Sequence, residues 1–153
     1  CIFEKDFFSK NNLTSYMDIH NHIDKNSTFN TPPTFSIYVM LKVLEWIDEN
    51  GGIKEIEQNN VLRANKIYDF LDQNTNSLTP LAPVEFRSNS NIVFDFKVEN
   101  QTDLFLQKSY ENNFIGLNGH RSVGGVRVSN YNSVTEEMVK DFLLFLDKFI
   151  SSN

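Results

Sequence analysis

Between Phe35 and Ile47 only Ser36, Lys42 and Glu45 interrupt a run of apolar side chains. No turn-forming residue breaks the run, which reads as a helix that is apolar nearly all round. Asn30-Thr31-Pro32-Pro33 before it offers a start. Thr31 or Asn30 can cap, and Pro32 suits the first helical position because its missing N–H would be unpaired there. The helix is expected to reach about Asn50, where Gly51-Gly52 supply a left-handed stop. A helix without a polar face needs cover on more than one side, which a second domain or a second subunit would give.

The pattern then predicts a second helix from about Ile53 to Asp72, with Ile56, Val61, Leu62, Ile67, Phe70 and Leu71 as an approximate stripe. Residues 74–83, NTNSLTPLAP, form a turn-rich break. IVFDFKV, residues 92–98, has the β-branched and aromatic content of a strand. Helical spacing returns over 101–112, with Leu104, Phe105 and Tyr110 apolar. FIGL (114–117) and VRVSN (126–130) read as two further short strands. Ser133 with Glu136 fits a capping box, Thr135 being the rival cap, and the last helix turns Met138, Phe142, Leu146 and Phe149 inward. Residues 4–29 are polar and irregular, a loop with at most a short turn. The sum is an α/β layer around a small mixed sheet, with a projecting N-terminal arm.

Composition narrows the function classes. Hydrophobic residues at 40% and charged residues at 22% of 153 fit a soluble globular chain and argue against disorder. A net charge of −6 repels nucleic acid and anionic membrane, so an anionic ligand must be drawn by local geometry. The single cysteine, Cys1, excludes an internal disulfide and a cysteine-based metal site, and suits a reducing cytosol. No apolar run approaches the roughly 20 residues of a spanning helix. The opening Cys1-Ile2-Phe3 lacks an initiator Met and reads as the end of a buried strand, so the chain is expected to be part of a longer protein.

Against that acidic background GHRSVGGVRVS, residues 119–129, holds two of the four arginines. Gly124 and Gly125 permit positive φ or close approach, and Arg121 and Arg127 can each present a planar fork to a carboxylate or phosphate, with His120 adding a donor. A hairpin with solvated or acid-paired arginines fits the spacing equally. NTPPTF, residues 30–35, is either an ordinary cap or a helix start whose free N–H groups take a phosphate. His20 and His22, with Asp18 and Asp24, lack a scaffold and a distant third ligand, so a solvated loop is expected rather than a metal site. No nucleophile sits in a recognisable turn beside a base, and no Gly-rich phosphate loop with a following Lys occurs.

Taken together, NSTFNTPPTFSIY and, some ninety residues on, GLNGHRSVGGVRVSNYNSVT resemble the phosphoserine aminotransferases, class V pyridoxal-phosphate enzymes of the aspartate-aminotransferase fold (fold type I). The resemblance covers nearly the whole chain. It implies the C-terminal part of such an enzyme: residues 1–29 a remnant of the large cofactor domain and connecting loop, 30–50 an interdomain and dimer-contact helix, 51–153 the small α/β domain. It implies that Asn30 and Thr31 reach the cofactor phosphate of the neighbouring subunit, that His120 and Arg121 hold the substrate phosphate, and that Arg127 grips the α-carboxylate. The lysine that forms the Schiff base is expected before Cys1, so no catalytic residue lies in this chain, and none of its residues binds metal. The implied reaction passes an amino group between glutamate and 3-phosphohydroxypyruvate, giving O-phosphoserine and 2-oxoglutarate in serine biosynthesis. The implied setting is a cytoplasmic homodimer, with no nucleic-acid or membrane partner. Another class V aminotransferase, a cysteine desulfurase or a non-enzymatic anion-binding α/β module are the alternatives. One departure is Arg87-Ser88-Asn89-Ser90-Asn91, where the family often has Arg-Ser-Arg-Met-Asn and so one more cation.

Overall fold

The computed structural model describes residues 14–152; the expectation for Cys1-Ile2-Phe3 lies outside them. The chain divides into two compact units, Cys1–Trp46 and Ile47–Asn153.

In the first unit, α1 (Ile19–Asp24) stands where only a loop or turn was expected. Its cause is local: Asp18 has extended backbone, and its Oδ1 accepts from His20 N at 3.0 Å, which caps the helix. Helix α2 (Thr34–Glu49) fulfils the long apolar run but starts later than the Pro-Pro pair suggested. Its first helical bond runs from Ile37 N to Pro33 O, 3.0 Å, so Pro33 occupies the cap position and Asn30 and Thr31 lie before it. No residue of α2 is buried, and Phe35 is 79% exposed.

In the second unit Gly51, at φ 88°, turns the chain into α3 (Gly52–Gln73). The buried face of α3 is Ala64, Ile67, Tyr68 and Leu71, joined by Arg63, at helical i, i+3, i+4 spacing. Leu62, expected in the stripe, is exposed. Strands β1 (Leu78–Pro80), β2 (Asn91–Phe96) and β3 (Val126–Ser129) form one sheet in that order. Both pairings are antiparallel, which corrects the expected mixed sheet. The turn-rich break therefore contains an edge strand, with Leu78 opposite Phe96. FIGL is not a strand; past it, only an isolated bridge pairs Asn118 with Val126. Helices α4 (Gln101–Glu111) and α5 (Glu136–Ser151) complete the unit. Thr135, the rival cap, is the real one: its hydroxyl accepts from Met138 N at 3.2 Å. The helix buries Val139, Phe142, Leu146 and Phe149 and leaves Met138, expected inward, exposed.

The core lies between one sheet face and the helices. Leu78, Ile92, Phe94, Phe96, Val126 and Val128 point into it, meeting Ile67, Leu71, Phe105 and Leu146. Period-2 alternation sends Val93, Asp95, Arg127 and Ser129 to the opposite face. Behind β3, buried Asn130 ties three segments: its Nδ2 donates to Asn60 O (2.9 Å) and Asn89 O (2.8 Å), and its Oδ1 accepts from Arg63 Nε (3.0 Å). Burial pushes the Arg63 guanidinium below its ordinary value, while Glu136 acts in the opposite sense.

A candidate anion-binding site at the loop before the third strand

The loop entering β3 is closed at its neck by two backbone bonds: Gly119 N donates to Gly125 O at 2.9 Å, and Arg127 N to Leu117 O at 2.8 Å. The neck is too narrow for side chains. A Cβ on Gly119 would lie 1.8 Å from the Gly124 carbonyl oxygen, and one on Gly125 only 2.7 Å from the Phe94 carbonyl oxygen. Gly125 also sits at φ 73°, in the region that favours glycine. Beyond the neck, the N–H groups of Val123 and Gly124 both donate to His120 O at 2.8 Å, folding residues 120–124 into a tight turn. The glycines thus bring His120, Arg121 and Arg127 into one loop-and-strand unit.

The four arginines divide into two kinds. Arg63 is held by Asn130 and Asn60, and Arg87 makes a two-pronged pair with Asp72, Nη1 to Oδ2 at 2.7 Å and Nη2 to Oδ1 at 2.6 Å, its guanidinium 4.5 Å from the Tyr68 ring centroid. Arg121 and Arg127 have no side-chain hydrogen bond or acid partner among the described residues, and the Arg127 Nε, like that of Arg87, is buried without a partner. A buried guanidinium nitrogen left open is costly unless something else fills it. The reading of these arginines as acid-paired is thereby set aside.

The Arg87 pair makes a stability prediction. The hydrogen bond to Arg87 holds the Asp72 carboxyl below its usual range. A carboxylate with a depressed folded-state value stabilises above its unfolded pKa, and that contribution is lost as pH falls through the lower value. Asp72→Asn is expected to cost about 1 kcal/mol at neutral pH, the upper end for an exposed pair. The difference should vanish in strong acid, as read from urea midpoints of both proteins.

The remaining candidates fall out as follows. Asn30 and Thr31 lie in the first unit, exposed, just before α2. In the first turn of α2 the Phe35 and Ser36 amides have no acceptor among the described residues. His20 packs against its own cap, Nδ1 2.9 Å from Asp18 Oδ1, and His22 Nε2 lies 3.1 Å from Tyr16 O. No group of three or more potential metal ligands occurs among the described residues. Among them, too, no helix is long and apolar enough to cross a membrane. The Arg87–Asn91 segment, noted for its missing cation, is a scaffold: Ser88 Oγ accepts from Ser90 N and Asn91 N at 3.1 Å, and Tyr68 donates to Ser88 O at 3.0 Å. Sequence reasoning missed Ser122, whose hydroxyl lies 2.7 Å from His120 Nδ1, although a serine two residues after a histidine is the signal for such a contact.

The small α/β unit thus has helices on one sheet face and Arg127 on the other. The chain belongs to the class V aminotransferases: residues 10–142 match the Aminotransferase class-V family. Within that family it is similar to phosphoserine aminotransferases. That of Bacillus subtilis (strain 168) is 38% identical over 142 residues, 93% of this chain and 40% of the relative. A phosphoserine aminotransferase structure recording radiation damage of the Schiff base aligns with TM-score 0.86 at 36% identity, over 95% of this chain and 41% of that one. The PLP-bound enzyme from Trichomonas vaginalis aligns with TM-score 0.77 at 30% identity, over 90% and 39%. The chain thus spans about two fifths of the length of these relatives.

Proposed function

We propose that the protein containing this chain is a phosphoserine transaminase, moving an amino group between glutamate and 3-phosphohydroxypyruvate. The observation that carries this reading is the pair of uncommitted guanidinium groups, Arg121 in the loop and Arg127 in the strand it feeds. A substrate with a phosphate at one end and a carboxylate at the other needs a cation for each. Holding both fixes the reacting carbon between them, which is how binding contributes to rate. Arg127 takes the carboxylate as a two-pronged partner, and His120 with Arg121 takes the phosphate.

The start of α2 fits the phosphate of pyridoxal phosphate. It offers two open backbone amides at a positive helix end, with the exposed Asn30 and Thr31 side chains beside them in sequence. When bound, that cofactor supplies the electron sink for amino transfer, and the protein supplies position and charge. The reactive lysine belongs to sequence outside this chain. The bare apolar α2 supports a homodimer, with 1–29 as connection, 30–50 as contact helix and 51–153 as the small domain. A single cysteine suits a reducing cytoplasm, and the proposed reaction belongs to serine biosynthesis.

The full-length protein is expected to convert phosphoserine with kcat/KM at least about 100-fold above serine or alanine, the scale of losing a charged contact. This chain alone should show no turnover. Equal use of serine or alanine would assign another class V activity, and turnover by the chain alone would place the reactive group within it.

A further inference from the structure

We propose that Ser122 is a positioning residue that fixes the His120 imidazole in the tautomer protonated on Nε2, so that the ring offers an N–H, not a lone pair, to an incoming phosphate monoester. The inference deepens the reading of His120 as a phosphate-binding residue and rests on it. The geometry is local, and the hydroxyl makes the closer of two contacts to one ring nitrogen. Ser122 N donates to His120 Nδ1 at 3.3 Å, and Ser122 Oγ lies 2.7 Å from the same nitrogen. A backbone amide can only donate, so its contact favours a lone pair on Nδ1. The hydroxyl can rotate to share that one lone pair, and at 2.7 Å it is the closer of the two donors. A neutral imidazole with an accepting Nδ1 carries its proton on Nε2. A ring protonated on Nδ1 would instead set that N–H against the Ser122 amide.

The rest of the loop holds this arrangement in place. Val123 N and Gly124 N close on His120 O, so the backbone of Ser122 cannot swing away from the ring without breaking two bonds. The glycine neck beneath admits no Cβ at Gly119. The ring edge bearing Nε2 has no partner among the described residues and His120 is exposed, so its N–H is free for a ligand. Arg121 supplies charge at the same turn, while His120 supplies a donor of fixed direction. An imidazole in the other tautomer would turn a lone pair toward the phosphate oxygens and repel them.

The test uses the full-length protein with nitrogen-15-labelled histidine and long-range proton–nitrogen correlation spectra, at a pH where the ring is neutral. The wild type should show a pyridine-like Nδ1 and a protonated Nε2 for His120. Ser122→Ala removes the closer donor and leaves Nδ1 only the long 3.3 Å amide contact, so it should shift the population toward the Nδ1-protonated form and raise KM for phosphoserine about three- to tenfold, the weight of a hydrogen bond, with kcat little changed. Ser122→Thr, which keeps the hydroxyl, should restore both. A wild-type ring protonated on Nδ1, or a tautomer indifferent to Ser122→Ala, overturns the proposal. A tautomer that shifts while KM for phosphoserine stays fixed upholds the role of Ser122 and removes His120 from the phosphate site instead.

Discussion

Arg127→Ala in the full-length protein is expected to lower kcat/KM for phosphoserine by about two to three orders of magnitude, the loss that follows when one side of a desolvated charge pair is removed. The backbone under this residue is fixed on both sides. Arg127 pairs across the sheet with Val93, and its N–H donates to Leu117 O. On the proposed reading the guanidinium would meet a carboxylate from a rigid strand, with no backbone ordering left to make up on binding. Arg127→Lys keeps the charge but loses the planar fork and should recover only part of the activity. The folded state should be indifferent to Arg127→Ala, because no acid partner among the described residues is abandoned and the buried Nε is unpartnered to begin with. A urea midpoint within about 0.5 kcal/mol of wild type, as for substitutions that break no packing or polar network, would separate lost binding from lost folding. Unchanged kinetics would exclude Arg127 from the carboxylate site.

The parts of this molecule that could be read from sequence are those where one local signal dominates. The apolar run from Phe35 to Ile47 could be nothing but a long helix, and IVFDFK had the composition of a strand. Boundaries failed where two signals competed. Pro32 and Pro33 both suit a helix start, and the later one holds the cap carbonyl. Ser133 and Thr135 both suit a cap, and Thr135 holds it; Met138 and Val139 both lie a turn before Phe142, and Val139 is the one buried. FIGL has the composition of a strand but remains unpaired, because pairing is a tertiary event that composition does not encode. Leu78–Pro80 shows the converse: polar, proline-containing sequence becomes an edge strand because Leu78 fills the core opposite Phe96. The site was legible as residue types, two arginines and a histidine around glycines. The neck that makes Gly119 obligatory was not, since it depends on a contact with Gly124 seen only in three dimensions.

Phe105→Ala should be the most damaging single truncation in the core, costing about 3–5 kcal/mol. Phe105 is fully buried on α4, and its ring centroid lies 5.1 Å from Phe149, 5.2 Å from Phe96 and 5.5 Å from Phe145. Those neighbours come from the sheet and from α5, so the ring joins three elements. Truncation leaves a cavity that no one of them can fill by shifting alone, and it forfeits aromatic contacts worth about 0.5–1.5 kcal/mol per pair beyond area burial. Phe105→Leu should cost less, and Phe86→Ala, at a ring 77% exposed, should fall within about 0.5 kcal/mol of wild type. Urea denaturation of the three variants would order them, and a Phe105→Ala cost no greater than that of Phe86→Ala would show that the aromatic cluster does not hold the unit together. The consequence reaches the candidate anion site through the sheet. Phe94 lies within the same cluster, 6.5 Å from Phe105 between ring centroids, and its carbonyl is the surface against which Gly125 packs. Loosening the cluster therefore loosens the floor of the loop that carries His120 and Arg121. Phe105→Ala should accordingly weaken binding of the phosphorylated substrate at denaturant concentrations well below those that unfold the chain, whereas Phe86→Ala should not.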